Sequence, residues 1–335
     1  MANSCYIPSN DSDYTDYDPD IAPMWIRVEM GIVGVATVLV NIPAIIAVIL
    51  TKIRNPETRN LHLSILGLTD LLVGLSLFPV LTTFIDPNSK ISHTSCFLRI
   101  YSFTFIYVTS LGQVCVICID RACLLVRPSW RYTSKYTRRY FKMLSSMLVF
   151  TFSSMSLIFF ILGFPKGHKV ACKLENVFCE KFLYFSAASG LVATFIECVI
   201  VVCCVIMITV LQRHKRKLLT HVGPTANAYT ISERTTMNNR ISREHERQTT
   251  RLSSESKSTL TIIFIIINLV IFVTPLNLGF LMQGFHLLET TSRTTRHVML
   301  SLSSVNSLIN PFIYCFRTPE IRVTIQNGIS KLFKC

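Results

Sequence analysis

The chain has 335 residues, of which 50% are hydrophobic and only 16% charged, against roughly 25% charged in a soluble domain. The apolar residues gather into long runs instead of alternating with polar ones. That pattern excludes an ordinary soluble enzyme and a disordered chain. A formal net charge of +14 would suit nucleic acid in a soluble protein; in a membrane chain it reads as basic cytoplasmic loops, and nucleic acid is not an expected partner.

Residues 1–24 are polar and acidic and lack the apolar stretch of a cleavable signal. They carry Cys5, the glycosylation sequon Asn10-Asp11-Ser12, and an acidic, tyrosine-bearing run through Asp11, Asp13, Tyr14, Asp16, Tyr17, Asp18 and Asp20. Seven apolar segments follow, about 25–50, 61–85, 96–126, 141–164, 183–211, 259–285 and 297–316. Each is near the roughly 20 residues that a membrane helix needs. The expected fold is therefore an all-α membrane protein, a seven-helix bundle over 25–316. Pro43, Pro79, Pro165 and Pro275 lie within or at the ends of spans, where kinks are tolerated.

An odd number of spans puts the two ends on opposite sides. The segments 51–59, 124–142, 212–258 and 317–335 hold 23 Lys and Arg, the opposite side holds 8, and Arg99 and Arg121 lie inside the third span. Basic residues accumulate on the cytoplasmic side, so the N-terminus is expected outside and the C-terminus inside. The long inner loop 212–258 is rich in Ser, Thr, Arg and Glu and reads as largely disordered, with Arg213, Lys215, Arg216 and Lys217 extending the fifth helix. Residues 317–335 read as an amphipathic helix on the membrane surface and a short tail. Ile321, Val323, Ile325, Ile329, Leu332 and Phe333 would face lipid, Arg322, Lys331 and Lys334 the anionic headgroups, and Cys335 is a candidate for palmitoylation. No internal repeat is evident, which counts against a transporter or channel, the alternative reading. No HExxH, GxSxG or carboxylate pair marks the spans as those of an enzyme.

Of the 12 Cys, Cys5, Cys96, Cys172 and Cys179 fall on the outer side, where disulfides form. Cys96 begins the third helix, and Cys172 and Cys179 lie in the loop before the fifth. A bridge from Cys96 to one of them would tie that loop over the bundle. Sequence alone does not choose the partner; Cys179 is preferred, with Cys5 and Cys172 as a second pair.

Three motifs then stand in order. The second span carries Leu63-Ser64-Ile65-Leu66-Gly67-Leu68-Thr69-Asp70, the third ends Ile119-Asp120-Arg121-Ala122, and the seventh ends Asn310-Pro311-Phe312-Ile313-Tyr314. On these helices and sides they resemble a rhodopsin-like (class A) G-protein-coupled receptor over essentially the whole chain. Asn41, Cys96 placed 25 residues before Arg121, Pro128 and Pro275 fit the same pattern. The resemblance implies an extracellular ligand, a heterotrimeric G protein and arrestin as partners. It implies no cofactor except Na⁺ as an allosteric ion, held by Asp70, Ser110, Asn306, Ser307 and Asn310. A charged carboxylate at mid-membrane costs at least roughly 2.5–3.5 kcal/mol unless paired, protonated or bound to a cation. The resemblance also implies an activation switch of Asp120, Arg121, Tyr314 and Pro275, with Glu255, 20 residues before Pro275, locking Arg121 in the inactive state.

Several positions depart from that pattern. Ala122 replaces an aromatic residue, Val273 stands where a Trp is usual, the fourth span lacks its Trp, and the fifth lacks its Pro and inner Tyr. Glu197, inside the fifth span, is either a functional acid or a protonated structural one. The resemblance implies a ligand pocket of Phe103, Thr104, Tyr107, Asn277, Phe280, Leu281, Arg296, Leu300 and Ser304. Phe103 occupies the place of the acid that holds biogenic amines, and Ser304 that of the lysine that holds retinal, so neither ligand is expected. The residues Tyr314 to Arg322 are similar to the melanocortin, adenosine and lipid-receptor group, which leaves a lipid, a nucleoside or a peptide as ligand. The acidic tyrosine segment, of a kind often sulfated in receptor N-termini, suits a basic peptide. The tail is nearly free of phosphorylatable residues whereas 220–258 holds 13 Ser and Thr. Arrestin is therefore expected to depend on Thr249, Thr250, Ser253 and Ser254, each preceded by Arg247 or Arg251.

The sequon supplies a direct topological test. Glycosidase treatment of receptor made in mammalian cells should sharpen and lower its gel band, and Asn10→Gln should already run at the lower position. An unshifted wild-type band would place Asn10 off the glycosylated side.

Overall fold

The computed structural model describes residues 24–54, 58–85, 90–127, 136–162, 169–172, 177–178, 181–221, 259–287 and 293–332. Asn10, Cys5, Cys179, Glu255, Cys335 and the candidate phosphorylation sites lie outside them. The helices are α1 (Met24–Arg54), α2 (Thr58–Ile85), α3 (His93–Val126), α4 (Tyr136–Leu162), α5 (Phe182–His221), α6 (Thr259–Phe272), α7 (Thr274–Gly284), α8 (Arg293–Arg317) and α9 (Pro319–Leu332). Six of them, α1 to α5 and α8, are individually long and apolar enough to cross a bilayer. The pair α6 and α7, bent by 43° at their junction, supplies the seventh span. The fold is a seven-helix membrane bundle.

The bend has a local cause. Pro275 has no N–H to give, and its ring crowds the carbonyl one turn earlier, so the ladder changes hands at Val273. The Val273 amide still bonds to Leu269 at 2.8 Å, while Leu276 and Asn277 both donate to the Val273 carbonyl at 3.2 and 3.3 Å. α9 follows α8 after the single residue Thr318 and turns Ile321 into a small apolar cluster with Ala44, Val48, Leu63 and Tyr314. Ile325 packs there too, whereas Val323 is exposed. One side of α9 thus seats on the bundle, leaving Val323 and Arg322 outward.

The bundle is apolar on its outside as well as in its core, unlike a soluble protein. Leu39, Val149, Phe160 and Phe195 are all more than 60% exposed, as expected of side chains that lie against lipid tails. The core is built around α3, whose Val108, Leu111, Val114, Cys115, Ile117 and Cys118 meet Met155 of α4, Ile196 and Ile200 of α5, and Ile265 and Leu269 of α6. Burying such side chains separates the helix backbones only as far as their volumes require. Where α5 and α7 come closest, glycine replaces a side chain. A Cβ on Gly190 would sit 2.7 Å from the Leu281 backbone nitrogen, and one on Gly284 would strike the Ala187 backbone.

At the end of the bundle where α3 begins, β1 (Lys90–Ser92) and β2 (Lys169–Ala171) pair antiparallel, with Lys90 opposite Ala171 and Ser92 opposite Lys169. The expectation that Cys96 bonds Cys179, leaving Cys172 for Cys5, is corrected here. Cys96 is disulfide-bonded to Cys172, with 5.3 Å between their α-carbons. The ribbon explains the choice, because Cys172 follows β2 directly and is delivered to the first turn of α3, four residues beyond Ser92.

The close approach of α5 and α7 gives a packing prediction. Gly190→Ala and Gly284→Ala should each lower stability by about 1–3 kcal/mol or more, since only rigid backbone is there to give way. Gly112→Ala should be milder, because the atom in its path is the terminal methyl of the flexible Met147 side chain. Thermal melting of the three purified variants checks the order.

Candidate functional site

The polar side chains of the bundle fall into three layers. Near the C-terminal end of α3, Asp120 and Arg121 are both buried. The Arg121 Nε lies 3.8 Å from Asp120 Oδ2, while the Nε2 of His62 on α2 is nearer, at 3.3 Å from the same oxygen. His62 is held edge-on against Tyr140 of α4, ring centroids 3.9 Å apart. The Gln113 side-chain amide of α3 donates to the Tyr140 hydroxyl at 2.8 Å. This end therefore joins α2, α3 and α4 through a carboxylate, a histidine, an arginine and a tyrosine. Such a set of hydrogen-bonding groups is expected where charge must be kept out of lipid.

The middle layer is centred on Asp70, which is fully buried. The Asn310 amide of α8 donates to its Oδ2 at 3.1 Å, and the Ser110 hydroxyl of α3 donates to Oδ1 at 3.4 Å. Ser307 is a further hydrogen-bonding neighbour. Asn310 is also bound from the other side, since Asn268 of α6 donates to its Oδ1 at 3.3 Å. Asn268 donates as well to the Asn306 Oδ1 at 2.9 Å and to its carbonyl at 3.2 Å. Asn41 of α1 donates to the Ser307 carbonyl at 3.2 Å and to Thr37 of its own helix at 2.9 Å. A single polar layer thus ties α1, α2, α3 and α6 to α8.

The outer layer contains Glu197 on α5, buried at 7% exposure. Asn277 of α7 donates to its Oε1 at 2.8 Å, and Thr274 is a second hydrogen-bonding neighbour. Tyr107 of α3 stacks on Phe103 with centroids 6.3 Å apart. Its hydroxyl is buried close to Asn277, Ser303 and Glu197 without completing a well-formed hydrogen bond.

Residues 40–314 match the family described as 7 transmembrane receptor (rhodopsin family). The chain belongs to that family. It is a multi-pass membrane protein and a G-protein-coupled receptor in the general sense. A search of curated proteins finds no match.

In this receptor the residues proposed for Na⁺ are brought together unequally. Asp70, Ser110, Ser307 and Asn310 meet, while the side-chain oxygen of Asn306 is turned to Asn268. The proposed pocket residues divide as well. Phe103 and Leu300 pack against Ile26, Met30 and Leu77, filling the gap toward α1 and α2. Leu281 closes on Gly190. The Arg296 guanidinium lies 5.3 Å from the Phe182 ring centroid, a cation–π contact at the outer end of the bundle. Ser304 is buried and donates to its own helix at Leu300, 3.0 Å away. Tyr107 and Asn277 are the pocket residues that meet Glu197. Thr104 and Phe280 are each partly buried, on α3 and α7. In the switch set, Tyr314 is fully buried, its hydroxyl beside the bare α-carbon of Gly67, and Pro275 sits at the bend.

Sequence reasoning missed His62, Tyr140, Gln113 and Asn268. The available signals were weak: a histidine and two amides inside apolar runs, with no spacing that ties them to a motif. They matter because His62 meets the expected Asp120 and Asn268 the expected Asn306 and Asn310, while Gln113 and Tyr140 bond each other and brace His62. Removing one should expose that dependence. His62→Leu leaves the buried Asp120 carboxylate short of a neighbour and should lower stability by about 1–3 kcal/mol. The loss should shrink in an Asp120→Asn background, since the two groups interact directly. Melting curves of the two single variants and the double variant give the coupling.

Proposed function

We propose that this receptor binds an extracellular ligand between the outer halves of α3, α5, α7 and α8 and activates a heterotrimeric G protein at the inner end of α3. The observation that carries the reading is the polar layer around Asp70. It links the helix bearing Asp120 and Arg121 to α6 and α8, so a ligand that shifts α7 or α8 acts on hydrogen bonds that reach α3. In this reading Arg121 leaves Asp120 on activation and meets the G protein. His62 holds the carboxylate in place, and Glu255 is the inactive-state partner of Arg121.

Na⁺ binding at Asp70 deepens the same reading. A hard cation prefers oxygen, and two carboxylate oxygens with the Ser110 and Ser307 hydroxyls supply a suitable set. Asn310 supports the carboxylate through its amide nitrogen, and Asn306, committed to Asn268, stands outside the set. The ion would neutralise the one fully buried carboxylate in this layer and hold α2, α3 and α8 in the inactive spacing.

The N-terminus lies outside the plasma membrane, where its acidic tyrosine segment draws basic ligands. The third inner loop carries the arrestin signal through Thr249, Thr250, Ser253 and Ser254, each phosphate adding about −1.5 to −2 charge. α9 lies along the inner leaflet. The third-helix acid that holds biogenic amines is replaced by Phe103, and retinal has no lysine at Ser304.

Sodium separates this account from a purely structural polar core. Thermal stability of the wild-type receptor should rise when NaCl replaces choline chloride at constant ionic strength, and Asp70→Asn should remove that difference. An equal sodium response in Asp70→Asn would assign the effect elsewhere.

A further inference from the structure

Among the described residues, Glu197 is the buried acid that the receptor's general machinery leaves without a task. It lies in the outer half, on α5, buried between α5 and α7. Its known neighbours, Asn277 and Thr274, are neutral. No basic side chain among the described residues forms an ion pair with it. An ionisable residue inside a membrane bundle that is neither paired nor lipid-facing marks a pathway or a binding site. Here a second and independent feature points the same way. The Tyr107 hydroxyl is buried in the same cluster, beside Ser303, Asn277 and Glu197, without completing a well-formed hydrogen bond, an arrangement that native structures rarely leave uncompensated.

We propose that Glu197 anchors the ligand of this receptor through a cationic nitrogen group, a primary ammonium or a guanidinium carried on an apolar body. The inference rests on the receptor reading above and names the ligand chemistry of its outer site. Three features select that chemistry. A cation placed beside Glu197 would hold the carboxylate ionised, and in a low-dielectric setting that charge-assisted hydrogen bond is strongest. The Tyr107 oxygen adds a second acceptor beside it. The Tyr107 ring, stacked on Phe103, supplies an aromatic surface beside the acid that favours a cation and an apolar stem. A metal ion is a poorer fit, because Asn277 turns its N–H donor and not its oxygen toward the acid. The amine counter-ion that Phe103 cannot provide from the third helix is thereby supplied from the fifth. Asn277, two residues beyond Pro275, connects the same carboxylate to the outer side of the bend, so a cation that draws on Glu197 competes with the bond that holds α7 to α5.

The test uses full-length receptor in lipid nanodiscs and two matched probe pairs: 4-phenylbutylguanidine with 4-phenylbutylurea, and phenylalanyl-arginine amide with phenylalanyl-citrulline amide. Within each pair the shape is nearly constant and the charge is removed. The guanidinium member of at least one pair should raise the melting temperature and its neutral partner should not. A larger response to the peptide pair assigns the cation to a peptide side chain, and a larger response to the first pair assigns it to a small amine. Glu197→Gln keeps an oxygen for Asn277 and should raise the half-maximal concentration by about tenfold or more. Tyr107→Phe should raise it by about threefold to tenfold, and it carries the comparison if Glu197→Gln does not fold. Equal shifts from charged and neutral partners, no shift from either pair, or an undiminished response in Glu197→Gln would overturn the proposal. Basal nucleotide exchange on Gα, wild type against Arg121→Glu, is measured in parallel. Exchange in the wild type that Arg121→Glu leaves intact would remove the G-protein role of Arg121 while leaving the binding result to stand or fall by itself.

Discussion

A carboxylate with no access to water organises the middle of this molecule. Asp70 is fully buried at the depth where lipid offers neither hydrogen bonds nor dielectric screening, so every compensating group must come from another helix. Asn310 of α8 and Ser110 of α3 answer directly. Asn310 is in turn steadied by Asn268 of α6, and the Ser307 carbonyl by Asn41 of α1. The requirement of one acid thus fixes the relative positions of five helices. Dispersion packing alone would leave them freer to slide, because lipid tails compete with side chains for the same apolar surfaces.

The bend at Val273 takes its meaning from what lies on either side. Asn268, below it, is bonded to α8, and Asn277, above it, is bonded to Glu197 of α5. Each half of the bent span has its own polar tether, and the Pro275 junction between them lacks one ladder donor. Motion about such a junction exchanges a few hydrogen bonds instead of unfolding a helix. The close glycine-mediated contact of α5 with α7 makes the outer half move with α5. The inner half, packed through Ile262, Ile265 and Leu269 on the α3 core, is the part that can report to Asp120 and Arg121. Where other members of the family carry a Trp, Val273 is small and buried, so the bend here rests on backbone geometry and tethers instead of a large aromatic ring.

At the inner end, Asp120 is shared. The nearer contact is His62, not Arg121, and His62 is kept in place by the edge of Tyr140. Tyr140, fixed by Gln113, stands on a fourth helix that lacks the Trp usual in this family. The brace between α2, α3 and α4 is therefore built from a different set of side chains, with a tyrosine hydroxyl and a glutamine amide supplying the polar contacts.

The sequence by itself determined the seven spans and the motifs that place Asp70, Asp120, Arg121 and Asn310 on their helices. The reason is that a bilayer demands about 20 apolar residues per crossing, so that spans are local features that composition reveals. It also made Pro275 the site of a bend, since a missing N–H is a property of one residue. Which side chains meet across the bundle was decided only by the tertiary structure, because contact depends on helix rotation and separation that no single span encodes. Cys172 reached Cys96 through the pairing of two three-residue strands, a contact between segments far apart in the chain. Asn306 turned to Asn268 in place of Asp70, and His62, an isolated histidine in an apolar run, came closer to Asp120 than Arg121 does. Glu197 was visible as an oddity, but its meeting with Asn277 and Tyr107 needed α5, α7 and α3 to be packed, since burial and partners exist only once the helices have closed around them.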